Sequence, residues 1–456
     1  MRDIIITVVV FGTLPYIMRK PFFGVLVWTC LGLMNPHRLA WGFATTLPFA
    51  LIVFSTTILS YAMSKEPKKI PMSREIVLLT IFTLWMFTTT AFSWYPALAW
   101  PQWDKVWRIQ IGILLTLMLT INRERLHLLM WTICVSLGFW GFKGGIWFLL
   151  SGGANRVYGP DGSFISGNNE LGLALVMTIP LIWYLILNTK VGWARTGLYG
   201  ALFFSLVATI GTHSRGALVG LVFMGVMFII KSRRKFIPIL GAIGFAALLP
   251  YIAPAEWFSR MHSIETYQED ESAMERIRTW KVAAEIASSD ILGGGFVVLR
   301  PTNGTDAHSI YFEVLSEQGY IGVAMFLTLG LLTFMKAQRI KNLTRRIPDA
   351  SWARDLATMI QTSLVGYATC GAFLGLGYFD LAYILIVIVV VLEKIVLDQH
   401  VRTVPARRVV STFVDLPSVG VLDESFGTTS QSKQPKKFAH SKAGVSVGQF
   451  TKDKLL

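Results

Sequence analysis

Charged residues are scarce in this sequence. Asp, Glu, Lys and Arg make up 15% of its 456 residues, whereas 53% are hydrophobic. Soluble globular proteins carry roughly 25% charged residues. This scarcity argues against a soluble globular protein and favours a chain whose surface faces lipid.

Cysteine and the common cofactor motifs are also lacking. Cys30, Cys134 and Cys370 all lie in apolar stretches, where cysteine behaves as a small hydrophobic residue. There is no CxxC pair and no zinc-like spacing, so neither a disulfide framework nor a cysteine-based metal cluster is indicated. P-loop, GxGxxG, HExxH and GxSxG motifs are missing as well. We therefore expect neither a cofactor nor a metal.

Long apolar runs dominate what is present. A membrane-spanning helix requires about 20 mainly apolar residues. The candidate runs are residues 3–17, 21–34, 41–63, 76–93, 106–121, 126–150, 168–188, 195–212, 214–230, 236–252, 308–335, 355–376 and 379–397. The first two are short enough to form a hairpin. The sequence thus predicts an all-α, polytopic transmembrane helical bundle of twelve or thirteen spans.

The net charge of +15 is distributed as expected for a membrane protein rather than for a nucleic-acid-binding protein. Basic residues cluster between apolar runs at 65–74, 231–235 and 336–346, all on one side of the predicted bundle. The positive-inside rule makes that side cytoplasmic. The predicted regions are N-terminal transmembrane helices (1–252), a large external loop (253–307), C-terminal transmembrane helices (308–400) and a disordered cytoplasmic tail (401–456). The loop is acidic, with Glu256, Glu265, Glu269, Asp270, Glu271 and Glu275.

Two external segments contain arginines suited to anion binding. Arg215 follows Ser214 at a span boundary, where an arginine is costly unless it snorkels or binds an anion. Arg276 and Trp280 are four residues apart in a predicted loop helix and share one face, whereas Arg278 points elsewhere. Arg276 could hold a phosphate while the indole supports a sugar. An amphipathic helix on the bilayer surface explains the same pattern.

Two further segments carry a histidine and a set of polar residues. Asp306 is a plausible N-cap that would place His308 in the first helical turn, where the helix dipole favours a neutral imidazole able to act as a general base. A lone histidine is more often structural. Asn168 and Glu170 begin another span after Arg156, and such residues often only cap the helix. The run Gly293–Gly295 is interpreted as a flexible turn.

Taken in order, these segments resemble the O-antigen ligase and O-antigen polymerase superfamily of bacterial envelopes. The segment from His308 to Gly322 is similar to the family pattern His-Asn-x-x-Leu-x-x-x-x-Glu-x-Gly-x-x-Gly. The N-terminal third resembles putative O-glycosylation ligases associated with exosortase systems. Ser309 stands where Asn is common, and Asp290 where Pro often precedes the glycine-rich turn.

The resemblance implies a glycosyltransferase that needs neither a metal nor a nucleotide. It would move O-antigen glycan from undecaprenyl diphosphate to a lipid A-core sugar hydroxyl, on the periplasmic face of the inner membrane. His308 would be the base, and Arg215 and Arg276 would hold the diphosphate. Substrate contacts are expected from Arg156, Asn168, Ser214, Trp280 and Arg278. An O-antigen polymerase or a protein O-oligosaccharyltransferase with the same donor remains open, and a lipid-linked glycan transporter is the alternative of another class.

Overall fold

The computed structural model describes residues 1–232, 235–254, 257–258, 271–347 and 349–403. Residues Met1–Thr403 form one compact unit by their contacts, and Val404–Leu456 form a second unit. That second unit, which holds most of the predicted cytoplasmic tail, lies outside the described residues. The same is true of four predicted acidic loop residues, Glu256, Glu265, Glu269 and Asp270.

Helices account for the regular structure of the described ranges, and no strand occurs in them. The helices of the first half are α1 (Arg2–Arg19), α2 (Pro21–Leu33), α3 (Phe49–Met63), α4 (Arg74–Ala91), α5 (Pro96–Leu119), α6 (Arg123–Leu150) and α7 (Asn168–Asn188). Those of the second half are α8 (Gly192–Gly211), α9 (Arg215–Lys231), α10 (Phe236–Ile252), α11 (Glu271–Ser289), α12 (Leu299–Asn303), α13 (Ile310–Leu343), α14 (Ser351–Gly371) and α15 (Asp380–Thr403). Short 3-10 helices lie at Pro36–Leu39, Phe43–Thr45 and Thr344–Arg346.

Each predicted apolar run contains a helix, which confirms the all-α, polytopic membrane architecture. By length and composition, α6, α7, α8 and α13 are each able to cross a membrane, and α2, α3 and most of α10 are shorter apolar helices. The run 41–63 is helical from Phe49, because the preceding residues form the two short 3-10 helices and a turn that ends at Pro48. The number of twelve or thirteen spans stays a prediction.

The centre of the bundle is α7. This helix is apolar around its whole circumference, and 83% of its most hydropathic stretch is buried, as expected for a helix surrounded by others. Helices α6, α8, α9 and α14 pack around it. Because α7 is enclosed on all sides, its first residues are held at a fixed position beside the start of α9.

A backbone junction interrupts α13 at Gly319, whose φ of +65° lies outside the helical region. The amide of Gly294 donates to the carbonyl of Ser316 at 2.8 Å, and that of Gly295 donates to the carbonyl of Glu317 at 3.1 Å. A Cβ on Gly319 would lie 2.4 Å from the carbonyl oxygen of Ile291, so glycine is required there. The glycine run predicted to be flexible is therefore tied to α13 by hydrogen bonds.

The far end of α13 carries a buried charge cluster. Lys336 forms ion pairs with Glu75 of α4 at 3.0 Å and with Glu393 of α15 at 2.5 Å. The prediction that Lys336, Arg339 and Lys341 lie in a loop was wrong, because α13 continues to Leu343. The carboxylates of α4 and α15 allow this lysine to remain inside a packed helix.

Candidate active site

A cavity of about 670 Å³ lies beside His308. Its walls come from the end of α2, the following 3-10 helix, α5, the loop before α7, the segment 297–308, the start of α13 and the connection between α14 and α15. The ionisable side chains that line it are His37, Lys105, Arg108, Glu170, Arg300, Asp306, His308, Glu313, Glu317 and Asp380. Segments far apart in the chain thus meet around one polar space.

His308 occupies the turn just before α13. Ser309 is the N-cap of that helix, and His308 has a φ of +47°, in the left-handed region. The prediction that Asp306 caps the helix and places His308 in its first turn was wrong. Asp306 instead accepts two hydrogen bonds of 2.8 Å from the guanidinium of Arg300. Since non-glycine residues rarely adopt positive φ without compensating contacts, the position of His308 is imposed by its surroundings.

The electrostatic setting of His308 favours its neutral form. Burial lowers the pKa of its imidazole below the ordinary value, and the positive charge of Arg276 lowers this pKa further. The carboxylates of Asp306 and Glu275 oppose this shift without reversing it. Near neutral pH the imidazole is therefore unprotonated, as a proton acceptor must be. The main cause is burial rather than the helix dipole invoked from the sequence.

Helix α11 is anchored next to His308 by Trp280. The indole Nε1 donates to the carbonyl oxygen of Ala307 at 2.8 Å, and the ring stacks on Phe312 with centroids 4.9 Å apart. Arg276 lies one turn earlier on the same face, half-buried and near enough to act on His308. Arg278 is exposed. The structure thus brings Arg276, Trp280 and His308 together, as the sequence suggested.

The start of α7 and the start of α9 form a second cluster. The side-chain amide of Asn168 donates to the carbonyl oxygen of Thr212 at 2.8 Å. Ser214 is the N-cap of α9 and accepts from the amide of Ala217 at 3.2 Å, and half-buried Arg215 is the first residue of that helix. Among the described residues, this cluster does not line the 670 Å³ cavity. Asn168 and Ser214 therefore have structural partners that account for them.

Arg156 is an exposed residue on the loop between α6 and α7, and it is not among the described residues that line the cavity. The next residue, Val157, donates from its amide to the carbonyl oxygen of Gly211 at 2.8 Å. This bond fixes the loop against the end of α8 and leaves Arg156 on the outside.

Sequence reasoning assigned no role to two further carboxylates of the cavity, Glu317 and Glu313. Glu317 is buried, accepts from the amide of Val297 at 2.7 Å with Oε1, and accepts from the Tyr378 hydroxyl at 2.8 Å with Oε2. Glu313 accepts from the amide of Gly377 at 2.9 Å with Oε2. A signal was available, because two glutamates four residues apart in an apolar helix are costly in a membrane and tend to be functional.

Asp380, the first residue of α15, also lines the cavity. It is only 7% exposed, and its Oδ1 has no hydrogen-bond partner in the described part of the chain. Within the same ranges, no group of three or more His, Cys, Asp or Glu side chains is arranged to hold a metal ion. Asp380 therefore presents an unpaired hydrogen-bond acceptor to the cavity.

Comparison with known families matches two segments of the chain. Residues 1–190 match a family of unknown function (DUF5935), and residues 200–327 match the family described as O-Antigen ligase. No curated protein matches the chain. The second segment contains Arg215, Arg276, His308, Glu313 and Glu317, and it includes the junction at Gly319. The match over residues 200–327 confirms the resemblance found in the sequence and supports the O-antigen ligase superfamily for that segment of this polytopic membrane protein.

Proposed function

We propose that the protein is an O-antigen ligase of the bacterial inner membrane. It transfers O-antigen glycan from undecaprenyl diphosphate to a sugar hydroxyl of lipid A-core, on the periplasmic face. The observation that carries this proposal is a half-buried His308 with a lowered pKa, lining a polar cavity inside the segment that matches the ligase family.

The reaction needs one base and one anion-stabilising group. The neutral imidazole of His308 takes the proton of the acceptor hydroxyl, and the resulting oxygen forms a bond to the anomeric carbon of the donor sugar. The bond between that carbon and the diphosphate oxygen breaks, and its electron pair leaves with undecaprenyl diphosphate. Positive charge near the leaving group lowers the barrier because charge develops there in the transition state.

Arg276 is the arginine best placed for that role. It acts electrostatically on His308, so a diphosphate bound to its guanidinium would lie next to the proton-transfer site. Arg215, at the first turn of α9, holds the diphosphate from a second side in this proposal. The two arginines then supply the charge that a metal ion supplies in other glycosyl transfers.

The remaining predicted contacts have supporting roles. Trp280 fixes α11 beside His308, and Asn168 and Ser214 fix the turn that precedes Arg215. Arg156 and Arg278 are exposed and are available to the glycan or to lipid headgroups. Membrane lipids are the expected surroundings, and nucleic acid is not an expected partner.

The test uses the purified protein in detergent with undecaprenyl-diphosphate-linked glycan and lipid A-core, followed by gel separation of the products. We expect a glycan ladder on lipid A-core with the wild type and with Glu285→Gln, a matched change at an exposed carboxylate of α11. We expect no ladder with His308→Ala. Lengthening of the lipid-linked glycan alone would indicate a polymerase, transfer to an added protein acceptor would indicate a protein O-oligosaccharyltransferase, and no transfer to any acceptor would contradict the proposal.

A further inference from the structure

The cavity contains a carboxylate whose two oxygens have different surroundings. Oε2 of Glu313 accepts from the amide of Gly377 at 2.9 Å. A Cβ on Gly375 or Gly377 would lie 3.4 or 3.2 Å from this oxygen, so the two glycines let the backbone approach the carboxylate closely. Within the described residues, Oε1 accepts no hydrogen bond. One oxygen is thus anchored, and the other is left to a ligand in the cavity.

Asp380 provides a second acceptor in the same cavity. Its side chain is more than nine-tenths buried, and Oδ1 has no hydrogen-bond donor in the part of the chain that the structure describes. A Cβ on Gly32 of α2 would lie 3.1 Å from Oδ2, so α2 passes close to this carboxyl group. A buried acceptor without a donor is unfavourable unless a ligand supplies the donor.

The charged groups around these carboxylates are largely occupied by one another. Arg300 is paired with Asp306, Arg108 is paired with Asp104, and both oxygens of Glu317 accept hydrogen bonds. Glu313 and Asp380 have no ion pair with any described residue, and the nearby carboxylates of Glu170 and Asp306 act on Glu313. A wall made of these carboxyl groups suits the donor diphosphate less well than the side of Arg276.

Uncharged hydrogen-bond donors fit this wall. Carboxyl oxygens accept hydrogen bonds, and sugar hydroxyls donate them. Three residues of the 1–190 segment also line the cavity: Trp28, Asn35 and Gln102. Trp28 is half-buried, and its ring can cover the apolar face of a sugar, whereas Asn35 and Gln102 contribute side-chain amides. A site with an aromatic ring and a few directed polar groups orients its ligand.

We propose that Glu313 and Asp380, together with Trp28, form the acceptor subsite and bind hydroxyl groups of an uncharged part of the acceptor glycan. This proposal rests on the proposed ligase function. It assigns the region of unknown function, residues 1–190, a direct part in acceptor recognition, whereas the donor diphosphate binds on the side of Arg276. In the O-antigen ligase pattern, Glu317 stands at the glutamate position, whereas the position of Glu313 is unspecified.

The first experiment measures binding without catalysis. The probe is the core oligosaccharide released from lipopolysaccharide and dephosphorylated, titrated into the full-length protein in detergent by calorimetry. Because each substitution replaces one acceptor oxygen by an amide nitrogen that cannot accept from a sugar hydroxyl, Glu313→Gln and Asp380→Asn should each weaken binding by about tenfold. Trp28→Ala should weaken it as well, and Glu285→Gln should bind as the wild type does. Unchanged affinity in both carboxylate variants would overturn the proposal.

A second measurement uses the wild type alone, in case the variants do not fold. Carbodiimide labelling of carboxylates, read by mass spectrometry, should be slowed at Glu313 by the oligosaccharide, and Glu285 should label at an unchanged rate. Undecaprenyl diphosphate should not slow the labelling of Glu313. Equal labelling of Glu313 with and without oligosaccharide would contradict the subsite.

Steady-state transfer separates this proposal from the ligase function. In Glu313→Gln, the KM for the acceptor should rise by about tenfold while the KM for the donor is retained. If the wild type transfers glycan and both carboxylate variants keep its acceptor KM, the subsite is wrong and the ligase function stands. If the wild type transfers nothing to any acceptor, the ligase function is wrong. The carbodiimide experiment then tests the subsite separately, because slower labelling of Glu313 in the presence of oligosaccharide shows that the oligosaccharide binds there.

Discussion

The indole nitrogen of Trp280 donates a 2.8 Å hydrogen bond to the carbonyl oxygen of Ala307, the residue before His308. This bond joins the helix that carries Arg276 to the turn that carries the proposed base. His308 itself has a φ of +47°, and Trp280 acts with the hydrogen bonds of Thr279 to Thr305 and Asn303 in holding α11 beside this turn.

Trp280→Phe tests this link. Phenylalanine keeps an aromatic ring against Phe312 but removes the donor, and we expect a loss of about 1 kcal/mol in stability together with a fall of at least tenfold in kcat. The measurements are transfer rate and thermal unfolding in detergent. Trp94→Phe is the matched control, because the Trp94 indole makes a longer hydrogen bond of 3.3 Å to Asp290 and is 42% exposed. Equal activity of both variants would show that the link does not position the base.

The pH dependence of transfer should report His308. Burial and Arg276 lower the pKa of this imidazole, so kcat/KM should fall on the acid side with a midpoint below the ordinary histidine value of about 6.5. Arg276→Ala removes the nearby cation that disfavours the imidazolium, so the midpoint should move to higher pH. A pH-rate profile of both proteins checks this, and a midpoint that is unmoved or lower in Arg276→Ala would contradict it.

The same shift has a consequence for stability. A histidine with a lowered folded-state pKa binds its proton more readily in the unfolded state, so acidification through the unfolded value and below it favours unfolding. We expect the thermal midpoint of the wild type to drop more than that of His308→Gln between pH 7 and pH 5. Parallel curves for the two proteins would mean that His308 titrates with an unshifted pKa.

The proposed diphosphate site makes donor binding depend on Arg215 and Arg276. Arg215→Ala and Arg276→Ala should each raise the KM for undecaprenyl-diphosphate-linked glycan by about tenfold or more, because each removes a charge-assisted contact to phosphate. Lys281→Ala is the control, since Lys281 is an exposed cation on the same helix as Arg276. Initial rates at varied donor concentration measure the effect, and donor KM values like that of the control would remove both arginines from the diphosphate site.

The junction at Gly319 should be intolerant of a side chain. Gly319→Ala would place a Cβ 2.4 Å from the carbonyl oxygen of Ile291 at a φ of +65°, so we expect destabilisation by about 1–3 kcal/mol and loss of transfer. Gly330→Ala is the matched variant on the same helix, because a Cβ there meets no atom within 4 Å. Thermal unfolding of both variants measures the effect. Similar midpoints would show that the backbone at Gly319 accommodates a side chain.

The sequence by itself determined the class of this protein, because hydropathy and charge distribution reflect the solvent around the chain. Apolar runs located the helices, and the ordered motifs led to the superfamily. The sequence also placed Arg276 and Trp280 on one helical face by their spacing, and the family resemblance joined His308 to them.

Only the tertiary structure decided which groups share the cavity. Glu313 and Asp380 are separated by 66 positions and meet because α13 and the connection before α15 pack together. Residues of α2 and α5 join them from the other end of the chain, and no local pattern predicts such contacts. The cap of α13 depends on a shorter contact: Arg300, six residues earlier, engages the carboxylate of Asp306, and Ser309 is the N-cap. The local sequence limits the conformations that each residue can adopt, and contacts with residues distant in the chain determine which of them occurs in the folded protein.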